Sequence, residues 1–271
     1  MTKKIVLVGG GNMGEALAAG LVRSGHWKPS QITVTDVRPA QLSRLRLRYR
    51  VNTNADNRRA IRGADIILLA IKPQQMTPVL EDLGPVIRKS QLVLSIAAGI
   101  PTRRIEKILS RSVPVIRIMP NTPALVGQGM SALALGRAAK QSHARLARAI
   151  LETVGEVVTV PERQMDAVTA VSGSGPAYVF YLAEAMRDAG VELGLAPPIA
   201  DQLVRQTLQG SGALLAQSHE QARTLRQRVT SPGGTTEAAL QIMEKANVRK
   251  IISKALKRAA EKSRELSRAH P

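Results

Sequence analysis

Gly9-Gly10-Gly11-Asn12-Met13-Gly14 sets Gly9, Gly11 and Gly14 at the G-x-G-x-x-G spacing of a turn that can hold a diphosphate. In such a turn the first glycine permits the tight bend and the second lets the backbone approach a pyrophosphate. The third packs helix against sheet. An apolar run ending at Val8 precedes the segment and a helical pattern follows it, so free N–H groups and the positive end of a helix dipole face the ligand. Asp36 closes the next apolar run, about 22 residues past Gly14, where a carboxylate accepts hydrogen bonds from the ribose hydroxyls of NAD and repels the 2′-phosphate of NADP. Arg38, close beside it, attracts that phosphate. The two signals oppose each other, and the acid tilts the expectation slightly to NADH over NADPH.

Ala70-Ile71-Lys72-Pro73 ends another apolar run. Residues at the carboxyl end of a strand in an open α/β sheet face the ligand crevice, so Lys72 is placed to meet anions of cofactor or substrate. Ile96, which ends the apolar run at 92–96, and Ala97 and Ala98 after it join the cofactor set with Val8, Met13, Ala70, Ile71 and Pro73. Gly233-Gly234-Thr235-Thr236 leads into a helical pattern through small residues that leave backbone amides uncovered. Such a start is a ready carboxylate pocket with hydroxyls beside it. It reads equally as a capped helix after a Pro-Gly turn.

Three longer segments carry a resemblance: Met119-Pro120-Asn121-Thr122-Pro123-Ala124, Val171-Ser172-Gly173-Ser174-Gly175-Pro176-Ala177-Tyr178 and Val229-Thr230-Ser231-Pro232-Gly233-Gly234-Thr235-Thr236. With the glycine turn and Ala70-Ile71-Lys72-Pro73, they resemble the pyrroline-5-carboxylate reductase family in order and spacing over essentially the whole chain. The Ser-Pro-Gly-Gly-Thr-Thr segment is the most specific of them. The resemblance implies reduction of L-1-pyrroline-5-carboxylate to L-proline. It also implies that amides near Gly234, Thr235 and Thr236 hold the substrate carboxylate, and that the Thr236 hydroxyl, the catalytic candidate, contacts the ring nitrogen. Glu162 matches a family position lining the proline site, with Thr169 counted beside it, although an acid there also suits a helix N-terminus. Asn57 matches a cofactor contact near the adenosine. Asn121 either shapes the nicotinamide pocket or serves a turn. The chain departs from the family in Asp36, where small polar residues and NADPH are usual, in Ala222, where many members have proline, and in its strong positive charge.

The reaction class has a second argument. An alcohol or ketone substrate needs a proton donor at the developing alkoxide, commonly Lys or His. The similar β-hydroxyacid dehydrogenases carry a lysine one helical turn after a Gly-x-Gly, and this chain has Val179 there. His26, His143, His219 and His270 all fall outside the candidate motifs. A protonated C=N bond is already cationic, so hydride addition neutralises charge and positioning supplies much of the acceleration. Another cyclic imine acid is an alternative substrate, and ring size is not legible. A basic nucleic-acid-binding protein on a dinucleotide fold is the alternative of a different class.

These residues need a scaffold that puts loop ends side by side. Short β-branched runs at 5–8, 32–35, 66–71, 92–96 and 115–118 alternate with helical stretches such as 12–24 and 75–88, the rhythm of a doubly wound, mostly parallel sheet. Further strands are expected at 130–135 and 155–160, around a helix near 140–153. Beyond Pro161 only helices are expected, at 163–190, 197–217, 220–229, 236–246 and 248–268. The chain thus divides into an α/β dinucleotide-binding (Rossmann) domain at 1–161 and an all-α substrate-binding and dimerisation domain at 162–271. Ala177-Tyr178-Val179-Phe180-Tyr181-Leu182-Ala183 is apolar on every face and so calls for cover on all sides. That points to a homodimer through the helical domain, or a larger homo-oligomer.

Of 271 residues 44% are apolar, but there is one Trp, one Phe and three Tyr, so the core is aliphatic. The absence of cysteine excludes thiolate chemistry and Cys-based zinc sites, and no metal site is expected. The formal charge of +19 suits polyanions or solubility, yet the basic residues are dispersed and no aromatics interleave them, so no nucleic-acid partner is expected. No apolar stretch is long enough to span a membrane and the start lacks a signal-peptide pattern, which predicts a cytoplasmic protein.

Overall fold

The structure, a computed structural model, describes residues 3–109 and 112–269. Apolar tetrapeptides become strands buried on both faces: β1 (Ile5–Val8), β4 (Ile66–Leu69) and β5 (Leu92–Ser95) are buried at every position. This is the signature of a parallel sheet covered by helices on both sides. Alternate residues feed opposite layers. Ile5 and Leu7 join one core with Leu17, Leu21 and Ile32, while Val6 and Val8 join another with Ile67, Leu69, Leu80 and Ile105.

With β2 (Ile32–Thr35), β3 (Asn52–Asn54), β6 (Val115–Met119), β7 (Gly129–Leu135) and β8 (Gly155–Thr159), the sheet order is β3-β2-β1-β4-β5-β6-β7-β8. All neighbours pair parallel except β6 with β7. From β1 the chain runs outward to β2 and β3, then returns to lay β4 on the other side. That reversal opens a crevice at the carboxyl ends of β1 and β4, the place where such sheets bind ligands.

The helices linking these strands are α1 (Asn12–Arg23), α2 (Pro39–Tyr49), α3 (Asn57–Ile61), α4 (Met76–Leu83), α5 (Thr102–Leu109) and α6 (Gln141–Leu151). The expected strands all form, most within a residue or two of their expected ends. The sequence pattern did not reveal β3, α2, α3 or α5. β3 is a polar edge strand, Asn52-Thr53-Asn54, and α2 buries only Leu45 beneath an arginine-rich surface.

The helix expected at 163–190 is instead broken. A 3-10 turn (Glu162–Gln164), α7 (Met165–Val168) and a π-helical turn (Thr169–Gly173) precede α8 (Gly175–Glu192). Pro176 has no N–H to continue the ladder and its ring crowds the carbonyl four residues back. The chain answers with a wider bond, Ser174 N–H to Thr169 O at 2.8 Å.

Two compact units result: residues up to Ser174 with those from Arg258 on, and Gly175–Lys257. The first extends past the expected boundary at Pro161 because Met165, fully buried, packs with Ala132 and Ala134 of β7. The end of α12 (Val248–Ala269) belongs to the same unit, where the Ser263 hydroxyl donates to Asp166 at 2.7 Å. In the second unit α8 packs on α9 (Pro197–Gln217), followed by α10 (Ala222–Arg228) and α11 (Thr235–Lys245). α8 has no buried residue: Phe180 is 61% and Tyr181 74% exposed in the single chain.

The turn after β1 tolerates no added bulk. A Cβ on Gly14 would collide with the Gly9 carbonyl, a backbone atom that cannot swing aside. Gly14→Ala is expected to cost about 1–3 kcal/mol. At about 2–4 °C per kcal/mol that is a clear fall in Tm by thermal melting, and an unchanged Tm would mean the turn relaxes freely.

Candidate active site

The crevice at the carboxyl ends of the parallel strands has a volume of about 730 Å³, within the range of small-molecule sites. Its floor is the turn from β1 into α1. Gly9 makes that turn with φ +105°, a left-handed conformation that disfavours any side chain, and its N–H bonds Thr35 O at 2.9 Å. Gly11 presents bare backbone: a Cβ there would meet nothing, and no side chain caps the start of α1. Gly10 and Gly14 build the turn from behind. Gly10 packs toward Leu45 and Val34, and Gly14 lies on the Gly9 carbonyl. These features fit a dinucleotide, with bare main chain at the diphosphate position and a helix start behind it.

Of the expected cofactor residues, Val8, Gly9, Gly11, Asn12, Met13, Asp36, Arg38, Asn57, Ala70, Ile71, Lys72, Pro73, Ile96, Ala97 and Ala98 line this one crevice. Thr35, Val37, Ala55, Gln75, Val79, Met119 and Pro120 line it as well and were not foreseen. Thr35 and Val37 flank Asp36, and Met119-Pro120 continues β6 at its carboxyl end, so strand-end geometry alone could have found them. His26, His143 and His219 do not line it, and His270 lies outside the described residues.

Asp36 is engaged on both oxygens. Oδ2 accepts from Gly10 N–H at 3.0 Å and Arg38 Nη2 at 3.1 Å, and Oδ1 accepts from Arg38 N–H and Nε, both at 3.0 Å. Burial pushes its carboxyl up, but the Arg38 guanidinium and the two backbone N–H groups outweigh that and hold it below the ordinary value.

The remaining candidates fall elsewhere. Asn121 is a tie: its Oδ1 accepts from Met130 N–H at 2.8 Å, and its Nδ2 donates to the Ser172 carbonyl and hydroxyl, both at 3.3 Å. Its turn role is thus the one the geometry displays. Glu162 accepts from the Thr102 N–H at 2.7 Å and hydroxyl at 2.5 Å, covering the start of α5, and lies 3.6 Å from Arg117. Arg117 is 4% exposed, so this carboxylate compensates a buried cation. The Thr169 hydroxyl donates back to Met165 O at 2.8 Å.

Gly234, Thr235 and Thr236 belong to the second unit. Gly233, at φ +72°, turns the chain there and donates to Glu237 Oε2 at 2.7 Å. Gly234 stands at the N-cap of α11 with no side chain capping the helix, Thr235 is exposed and Thr236 half-buried. The start of α11 therefore offers main-chain donors.

The family description "Pyrroline-5-carboxylate reductase dimerisation" matches residues 162–266, and "NADP oxidoreductase coenzyme F420-dependent" matches 4–99. Pyrroline-5-carboxylate reductase 1 of Bacillus spizizenii is 39% identical over 266 residues, 98% of this chain and 90% of its own. The chain belongs to the pyrroline-5-carboxylate reductase family. A family structure from Coxiella burnetii superposes with a TM-score of 0.94 at 37% identity, covering 98% of this chain and 99% of that one. The Plasmodium falciparum pyrroline carboxylate reductase, solved with NADP bound, gives 0.86 at 29% identity and 98% of each chain. The architecture is that of the family: an N-terminal Rossmann-like parallel sheet and a C-terminal helical dimerisation domain.

A carboxyl held below its unfolded value stabilises the fold above that value, about 3.9 for Asp, and the contribution is lost as pH falls through the lower folded value. Asp36→Asn should therefore lower Tm at neutral pH, with the gap to the parent closing as pH drops below about 4. A gap independent of pH would mean that the charge of Asp36 carries none of it.

Proposed function

We propose that the chain reduces L-1-pyrroline-5-carboxylate to L-proline, the closing step of proline biosynthesis, with NAD(P)H as reductant. Bound at the crevice, the nicotinamide dinucleotide supplies the hydride. Bare backbone at Gly9 and Gly11 lets the diphosphate approach the start of α1, whose N–H groups face its charge. The main-chain donors of Gly234, Thr235 and Thr236 hold the substrate carboxylate, and the Thr236 hydroxyl contacts the ring nitrogen. Glu162 keeps the start of α5 and Arg117 in place. Val179 stands where a dehydrogenase of alcohols has its lysine, and the reaction tolerates this because hydride addition to a protonated imine leaves no oxyanion to stabilise.

The observation that carries this reading is the uncapped start of α11 at Gly234, in a chain 39% identical over 98% of its length to a named pyrroline-5-carboxylate reductase. Incubating the purified protein with the imine and either NADPH or NADH tests it by loss of reduced-nicotinamide absorbance. Absence of turnover with both ends it. Thr236→Val, which keeps the shape and removes the hydroxyl, should lower kcat/KM by roughly tenfold to a hundredfold.

The chain forms homo-oligomers through its helical dimerisation domain, and a homodimer is the smallest assembly that covers α8. Among the described residues no helix is long and apolar enough to cross a membrane, and a cysteine-free chain suits the reducing cytoplasm. A carboxylate at the 61%-exposed Phe180 leaves the single chain solvated but is buried on assembly. Phe180→Asp should shift the mass seen by light scattering from a dimer or larger to a monomer, and an unmoved mass would place the interface elsewhere.

A further inference from the structure

The turn that follows β5 supplies Ile96, Ala97 and Ala98 to the crevice wall. Sheet order places it on the opposite side of the glycine turn from Asp36, which follows β2. With a diphosphate at the glycines and the adenosine ribose near Asp36, this wall faces the nicotinamide half of the cofactor. Ala97, Ala98 and Gly99 bring little side chain to fix the turn, so its shape depends on what touches the backbone. At one end Ile96 N–H bonds Leu69 O at 3.2 Å, and at the other Glu162 holds Thr102 at the start of α5. Between them Ile100 is buried in the core and Gly99 is backed by α12.

Gly99 takes φ +72°, and a Cβ added there would stand 3.3 Å from the Leu266 Cβ and 3.6 Å from the Ser267 nitrogen. The helix backbone thus closes directly on the turn. Ala260, Ser263 and Ser267 share one helix face at spacings of three and four, and such small residues let α12 lie close. The Ser263 hydroxyl, 4% exposed, donates to Asp166 Oδ1 at 2.7 Å, and Arg264 stands 3.7 Å from Oδ2. Asp166 follows Met165, which is fully buried against β7, so the tie has a firm anchor. All these residues belong to the first unit. α12 is therefore pinned about one turn before the point where it meets Gly99.

We propose that Ser263 and Asp166 are positioning residues for hydride transfer: their hydrogen bond seats the end of α12 on Gly99, and that contact sets the wall at 96–98 against the nicotinamide. This rests on the reading of the chain as an imine reductase and deepens it by naming residues outside the crevice that govern the transfer step. Hydride transfer is sensitive to such support, because a displacement of about 1 Å can cost about a hundredfold in rate.

The single-turnover rate of reduced-cofactor oxidation at saturating imine, followed by stopped flow, reads the transfer step directly. Ser263→Ala should slow it by roughly tenfold. Calorimetry with the cofactor lacking its nicotinamide, ADP-ribose 2′-phosphate for NADPH or ADP-ribose for NADH, should give the parent's Kd, because the adenosine half binds across the glycine turn from this wall. Asp166→Ala should show the same loss of rate, and the double variant should lose no more than either alone. Asp166→Asn keeps an acceptor for Ser263 and should recover most of the rate. A merely structural bond would not slow transfer while leaving the fragment's affinity untouched. An unchanged transfer rate in Ser263→Ala, or a loss matched by weaker binding of the fragment, overturns the proposal, while turnover by the parent keeps the functional reading standing. No turnover by the parent with either cofactor ends both.

Discussion

The close approach of two backbone segments at the end of β1 is the constraint on which the rest of the first unit depends. The Gly9 carbonyl lies where a Gly14 side chain would be, so α1 starts directly on the strand instead of beyond a loop. This brings the helix start to the mouth of the crevice and fixes the height of Gly10, whose N–H then reaches Asp36 at 3.0 Å. Asp36 in turn fixes Arg38. A chain of short-range geometry thus runs from one glycine contact to the charge at the far end of the pocket, with no long side chain in its first links.

The parts of the fold that sequence displays are those where one physical requirement acts alone. Double-sided burial writes β1, β4 and β5 as continuous apolar runs, and the glycine turn is spelled by the need for bare backbone. Elements set by several requirements at once are harder to read. α2 is a helix that buries only Leu45, so its apolar face is nearly silent. β3 pairs through its backbone alone, and Asn52-Thr53-Asn54 carries no alternation. The break after α7 needs Pro176 and also the approach of the Met119 side chain to Gly173, a contact between segments far apart in sequence.

The candidate site follows the same division. The cofactor crevice is local in sequence, strand end by strand end, and about two thirds of its lining residues were legible. Glu162 was not, because its partners Thr102 and Arg117 come from other elements. Spacing alone left its role open between a helix-terminal acid and a pocket wall. In the structure it covers the start of α5 and balances Arg117, a cation too deeply buried to stand alone. Asn121 has a similar character. Its amide holds β7 at Met130 and the π-helical turn at Ser172 together, so the Met119-Pro120 wall of the crevice inherits its position from a side chain outside the crevice.

Charge and exposure fit together once the acids are followed. Arg38, Arg44 and Arg48 look like solvated surface in the sequence, yet Asp36 holds Arg38 and Glu15 holds Arg44 at one pocket, with Arg48 also paired to Glu15. Exposed ion pairs of this kind contribute little stability, typically 0–1 kcal/mol in other proteins and so at most about that here. Their arrangement is therefore better explained by what they hold in place than by folding. The apolar α8 poses the opposite case: hydrophobic side chains without cover in one chain, where burial against another copy would be favourable at about 25 cal/mol per Å². In both places the single chain carries a local arrangement that folding alone does not require. A second copy of the chain is the natural cover for α8, in keeping with the dimerisation domain, and assembly thus completes packing that the fold leaves open.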